Sequence, residues 1–191
     1  MEPARLSATD LACRRGERLL FRGLSFALDP GQALQLAGPN GVGKSSLIRI
    51  LAGLLRPFAG TLDRAGATGL IDERPALDGD KPLGEALAFW AALDAPAAAA
   101  PNLGVDALLD IPVRYLSTGQ RKRAALVRLA RQGAPIWLLD EPLNGLDVDA
   151  ARACETLVAD HCARGGLAVV ASHQPFALPG LRQLALADFA P

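Results

Sequence analysis

The run "GPNGVGKSS", made of Gly38, Pro39, Asn40, Gly41, Val42, Gly43, Lys44, Ser45 and Ser46, follows an apolar stretch and opens an amphipathic one. Its G-x-x-x-x-G-K-S spacing lets successive backbone N–H groups wrap a phosphate, because glycine tolerates the turns that aim several amides at one place. Lys44 is placed to reach terminal phosphates, and the Ser45 hydroxyl to ligate Mg²⁺. A strand before and a helix after separate a phosphate loop from a chance glycine-rich turn, and both flanks read that way.

A second set of groups follows "IWLL", an apolar run that reads as a buried strand ending at Asp140 and Glu141. Open α/β sheets bind ligands at the carboxyl ends of their strands. Asp140 fits a carboxylate for Mg²⁺, direct or outer-shell, and Glu141 fits the group that polarises an attacking water. The competing reading, an exposed acidic turn, is weakened by the phosphate loop elsewhere in the chain.

The third set is "LSTGQ", Leu116 to Gln120, ahead of the helical pattern "RKRAALVRLARQ". A helix begins with about four N–H groups lacking internal partners, and Ser117 can cap one of them. Gly119 and Gln120 are expected to add little to a cap. A small turn carrying glycine is instead expected to let a second molecule reach the bare amides, where the helix dipole favours an anion.

These groups need a frame. Hydrophobic residues form 50% of the 191 positions and charged residues 21%, which fits one globular α/β domain and excludes a disordered chain. Strand-length apolar runs at 24–28, 33–37, 136–139 and 167–172 alternate with helical patterns at 45–54, 119–131 and 149–163, indicating a largely parallel sheet covered on both faces. The Ala-rich stretch 82–110, with "APAAAAP" at 95–101 as a low-complexity join, reads as a short helical insertion. Lys plus Arg balance Asp plus Glu at 20 each, so no overall field calls for nucleic acid. Neither a signal peptide nor a membrane-spanning run is read, and the domain is expected to be soluble and cytosolic.

In order along the chain, GPNGVGKS (38–45), LSTGQ (116–120), IWLLDEP (136–142), NGLD (144–147) and SHQP (172–175) resemble the nucleotide-binding subunits of ABC transporters. The resemblance covers nearly the whole chain. It implies a P-loop NTPase core with a mixed, largely parallel sheet, carrying a helical subdomain at about 74–131, and a single ATP-binding domain over 1–191. It implies ATP and Mg²⁺ as ligands, hydrolysis of ATP, and a head-to-tail homodimer formed on ATP binding. Ser117, Thr118, Gly119 and Gln120 of one subunit would face the γ-phosphate held by the other, with Ser117 and the Gly119 amide as donors. Asp147 would couple the two sites, and His173 would contact the γ-phosphate and orient Glu141. Thr118 stands where the family most often has glycine, and its β-branch restricts the turn.

Two further departures stand out. Where many members stack an aromatic ring on adenine, this chain has "CRRGER", so Arg14 or Arg15 is the candidate stacking residue through its guanidinium plane. No glutamine occurs between Gln35 and Gln120, so Glu73 or Arg74 takes the place of the glutamine that senses Mg²⁺ and the membrane partner. The stretches "GPNGVGKSSLIRILAGL", "IPVRYLSTGQRKRAALVRLAR" and "SHQP" resemble the branch of the family that serves bacterial cytochrome c maturation. That branch implies an integral membrane permease as partner at the cytoplasmic face of the inner membrane. Haem contact would fall to the partners, with either haem or a haem-loaded chaperone as the thing moved or released. An exporter of lipid or drug and a low-turnover ATP-binding regulator are the alternative readings.

Arg121, Lys122, Arg123, Arg128 and Arg131 could suggest nucleic acid, but a solvated helix face is the simpler expectation. Cys154, His161 and Cys162 share a helical face. Cys154 and His161 are separated by roughly 10 Å along the axis, whereas zinc holds its ligands at about 2.0–2.3 Å, so packing and no structural metal is the expectation.

Overall fold

The computed structural model describes residues 3–94 and 101–191; the low-complexity join at 95–101 lies, apart from Pro101, outside the described residues. Two sheets make the frame. Strands β1 (Arg5–Arg15), β2 (Arg18–Leu28) and β4 (Ala59–Ala65) form an antiparallel sheet in the order β2-β1-β4. Strands β3 (Ala33–Ala37), β5 (Thr68–Ile71), β6 (Ile136–Asp140), β7 (Leu167–Ala171) and β8 (Arg182–Ala185) form a second sheet in the order β5-β6-β7-β3-β8, with each pair parallel. Every residue of β6 and β7 is buried, which is why both read as unbroken apolar runs rather than alternating ones.

The run at 24–28 is a correction. It belongs to the antiparallel sheet as the second half of β2, not to the parallel one. Its alternating exposed and buried residues carry the period of a sheet wetted on one side. Most of β4 is exposed and β1 is broken by bulges around Asp10, so neither has a clean apolar pattern to read.

Among the described residues four α-helices complete the layers: α1 (Lys44–Leu51), α2 (Leu83–Leu93), α3 (Thr118–Gln132) and α4 (Val148–Ala163). On one side of the parallel sheet, Leu47, Ile48 and Leu51 of α1 pack with Leu138 and Val169 and with Leu6, Leu11 and Phe21 of the antiparallel sheet. On the other side, Leu126 and Leu129 of α3 and Leu157 and Val158 of α4 cover Trp137, Leu139 and Val170. A third, smaller core joins Leu83 and Leu87 of α2 to Val105, Leu108, Val113 and Leu116, closed by Ala124 and Val127 of α3.

Because α3 serves two cores, its basic residues do not form one solvated face, and that expectation is corrected. Lys122 is buried, Arg123 donates to the Leu103 carbonyl at 3.3 Å, and the Arg128 guanidinium lies 3.6 Å from the Trp90 ring centroid. Arg131 is exposed. On α4, His161 stacks on Trp137 with centroids 3.8 Å apart and an interplanar angle of 8°. Burial pushes its pKa down to about 4 and that of Cys154 up to about 12, so both are neutral packing groups at physiological pH. Among the described residues no helix is long and apolar enough to cross a membrane.

Candidate functional site

The loop between β3 and α1 turns at Gly38 (φ 142°), Gly41 (φ 79°) and Gly43 (φ 116°), conformations that side-chain-bearing residues avoid. Gly43 is the N-cap of α1, and no side chain caps that helix. Its first amides are therefore left to a ligand, at the positive end of the helix dipole. Lys44 is buried, with Nζ donating to the carbonyls of Gly38 at 2.8 Å and Pro39 at 3.2 Å and lying 3.8 Å from Glu141 Oε1.

Asp140 and Glu141 emerge at the carboxyl end of β6, beside that loop. Asp140 is only 4% exposed, and its Oδ1 has no hydrogen-bond partner. Burial raises its pKa, a hydrogen bond from Ser45 works against the rise, and the carboxylates of Glu141, Glu73 and Asp72 add to it. A buried carboxylate oxygen without a donor is costly unless something positive meets it, so the pair Ser45 and Asp140 fits a hard divalent cation.

Glu141 is held at both ends. Its backbone has φ 47°, its amide donates to the Ala171 carbonyl at 2.8 Å, and its own carbonyl accepts from Lys122 Nζ at 3.2 Å. Its Oε2 lies 2.9 Å from His173 Nδ1. Lys44, Ser45, Ser46, Glu141 and His173 thus surround one cavity of about 330 Å³ together with Asn40, Gly41 and Gly43. Leu20, Glu73 and Asn144 line it as well. Leu20 carries no local signal in the sequence that separates it from an ordinary strand residue, whereas Asn144 opens the NGLD run.

The LSTGQ turn has a different character. Ser117 Oγ accepts from the Gln120 amide at 3.2 Å while Gln120 Oε1 accepts from the Ser117 amide at 2.8 Å, a reciprocal capping box. Gln120 therefore contributes to the cap, against the sequence expectation. Gly119 is also used within the chain, since a Cβ there would run into the Gly145 carbonyl oxygen. The Thr118 methyl packs on the same loop, where a Cβ on Gly145 would lie 3.1 Å from it. Asp147 accepts from the Ala150 amide at 2.8 Å and caps α4. None of residues 117–120 lines the cavity at the phosphate loop of their own chain.

Arg14 and Arg15 are exposed at the end of the β1–β2 hairpin. The Arg14 guanidinium sits 4.6 Å from the centroid of Phe58, an aromatic partner outside the cavity. On the helical layer, Leu77, Ala86, Phe89 and Trp90 line a separate apolar groove of about 530 Å³.

The ABC transporter family model matches residues 21–144. The chain is 60% identical, over the full length of both proteins, to the cytochrome c biogenesis ATP-binding export protein CcmA of Novosphingobium aromaticivorans. It is 47% identical to the protein of the same name from Rhodospirillum rubrum, over 99% of this chain and 88% of that one. The fold superimposes on a solved ATP-binding subunit of an ABC transporter with a TM-score of 0.78 at 24% identity, over 88% of this chain and 79% of that one.

Proposed function

The chain belongs to the ATP-binding family of ABC transporters and is an ATPase, and on that premise we propose that it powers an export complex of cytochrome c biogenesis as a head-to-tail dimer on membrane partners. The observation that carries the catalytic reading is the Glu141 carboxylate, which lies between His173 at 2.9 Å and Lys44 at 3.8 Å beside a buried Asp140 oxygen without a donor.

When ATP enters, the amides of the 38–43 loop and α1 take its phosphates, and Lys44 exchanges the Gly38 and Pro39 carbonyls for phosphate oxygens. Ser45 and Asp140 would hold Mg²⁺, which would supply charge neutralisation on those oxygens. Glu141 polarises the attacking water, and His173 fixes the orientation of its carboxylate. Ser117 and Gly119 of a second copy face the γ-phosphate across the dimer, with Asp147 at the joint. Adenine rests near Leu20, with Arg15 of the hairpin free to cover it.

The helical segment 74–131 carries the motion outward, and its groove at Leu77, Phe89 and Trp90 suits an apolar segment of a permease subunit. The chain works at the cytoplasmic face of the inner membrane in this reading, and haem stays with the membrane partners. The names of the CcmA relatives support the cytochrome c assignment.

The test is Mg²⁺-dependent ATP turnover of the purified chain beside Glu141→Gln, with light scattering to follow association. Loss of about 10²-fold or more in turnover, the usual worth of a general base, together with an ATP-trapped dimer, is the expected result. Turnover undiminished by the substitution would remove Glu141 from the reaction, and absence of both turnover and dimer would favour a regulatory ATP-binding module.

A further inference from the structure

Lys122 has no part in the reading above, yet it occupies a costly position. It lies in the first turns of α3, just beyond the Ser117–Gln120 cap, and is only 6% exposed. Burial lowers its pKa, while Asp140, Cys154, Asp72 and Glu73 act to raise it. An ammonium taken out of water costs several kcal/mol unless it is met by compensating groups. Its hydrogen bond goes to the carbonyl of Glu141, 19 positions along the chain, at 3.2 Å.

That carbonyl belongs to a residue in the left-handed region, φ 47°, where a side-chain-bearing residue is strained and persists only when its surroundings over-determine it. The Glu141 amide is fixed by Ala171 of β7. Lys122 fixes the other end of the same residue from a different helix, and the Asn144 amide approaches the same oxygen at 3.3 Å. Lys122 also lines, with Glu73, Thr118 and Glu141, a cavity of about 270 Å³ between the start of α3 and the end of β6.

We propose that Lys122 is a positioning residue: from the start of α3 it holds the left-handed backbone of Glu141 so that the carboxylate faces Lys44 and His173, tying the LSTGQ helix to the catalytic carboxylate of its own chain. The inference rests on Glu141 acting as the group that polarises water. A shift at the start of α3, such as docking on a second subunit, then reaches Glu141 through one ammonium.

The experiment compares kcat, the KM for ATP and thermal stability of the full chain carrying Lys122→Met or Lys122→Arg, with Glu141→Gln in parallel. A misplaced catalytic group costs about 10²-fold, so Lys122→Met is expected to lower kcat by about 10- to 100-fold with KM within about twofold. Lys122→Arg, which still donates to the carbonyl, restores most of kcat. Unchanged kcat in folded Lys122→Met overturns the inference, as does a loss that tracks thermal stability and is not rescued by Arg. If Lys122→Met does not fold, Lys122→Arg decides alone: near wild-type kcat and KM support the inference, and a folded Arg variant with a tenfold lower kcat at unchanged KM overturns it. Turnover surviving in Glu141→Gln brings down the catalytic reading itself, whereas a dead Glu141→Gln beside a fully active Lys122→Met brings down this inference alone.

Discussion

Two helices of this chain start at small-residue loops, and the two starts are finished differently. Helix α1 begins at Gly43 with no capping side chain, behind three glycines in the left-handed region. Helix α3 begins at Ser117 with both halves of a capping box in place, and its Gly119 is small because the Gly145 carbonyl lies against it. The first start is left open by its own chain, so a phosphate completes it without displacing anything but Lys44. The second already has its Ser117 and Gln120 amides engaged in the capping box, so a ligand there must compete for those two. Glycine beside a helix start is thus two different signals, one of backbone conformation and one of close approach.

The largest expected difference between the two helix starts is in nucleotide affinity of the isolated chain under conditions that keep it monomeric. Lys44→Ala is expected to weaken ATP binding by about 2–5 kcal/mol, the scale for truncating one partner of a buried charge pair. Ser117→Ala should leave that affinity within about twofold, because residues 117–120 stay away from the cavity of their own chain. Titration calorimetry of both variants decides it, and equal losses would erase the distinction between the two loops.

Stability separates the two loops by a smaller margin. Gly119→Ala forces a Cβ against the Gly145 carbonyl and should cost about 1–3 kcal/mol, the range for overpacking. Gly41→Ala meets no atom within 4 Å and pays only for its φ of 79°, about 1 kcal/mol. Urea midpoints of the two variants rank them, and a larger loss at Gly41 would contradict the packing role of Gly119. The smallest effect belongs to the cap: Ser117→Ala should lower stability by about 1 kcal/mol and Ser117→Gly by only a few tenths, read from the same urea curves.

Much of the catalytic edge was legible in the chain because its requirements are local. A loop that aims several amides at one point needs glycine at set spacings, and a strand buried on both faces needs an unbroken apolar run, so 38–45 and 136–141 announce themselves. The antiparallel sheet was mostly missed, because the edge strand β4 is largely exposed and β1 is bulged at Asp10, which removes the period-two pattern. The contribution of Gln120 to the cap was also missed, although a serine followed three residues later by glutamine is a known capping pattern.

By itself, the sequence determined the phosphate loop, the acidic strand end and the alternation of strands and helices, since each follows from dihedral preference and periodicity over a few consecutive residues. Only the tertiary structure decided which basic residues of α3 are buried, and that Lys122 meets the Glu141 carbonyl. It also decided that Arg14 turns to Phe58 and that Gly119 makes room for Gly145. Those outcomes depend on which surfaces the fold brings together, as where α3 is shared between two cores, and local periodicity carries no record of what packs against an element from the far side.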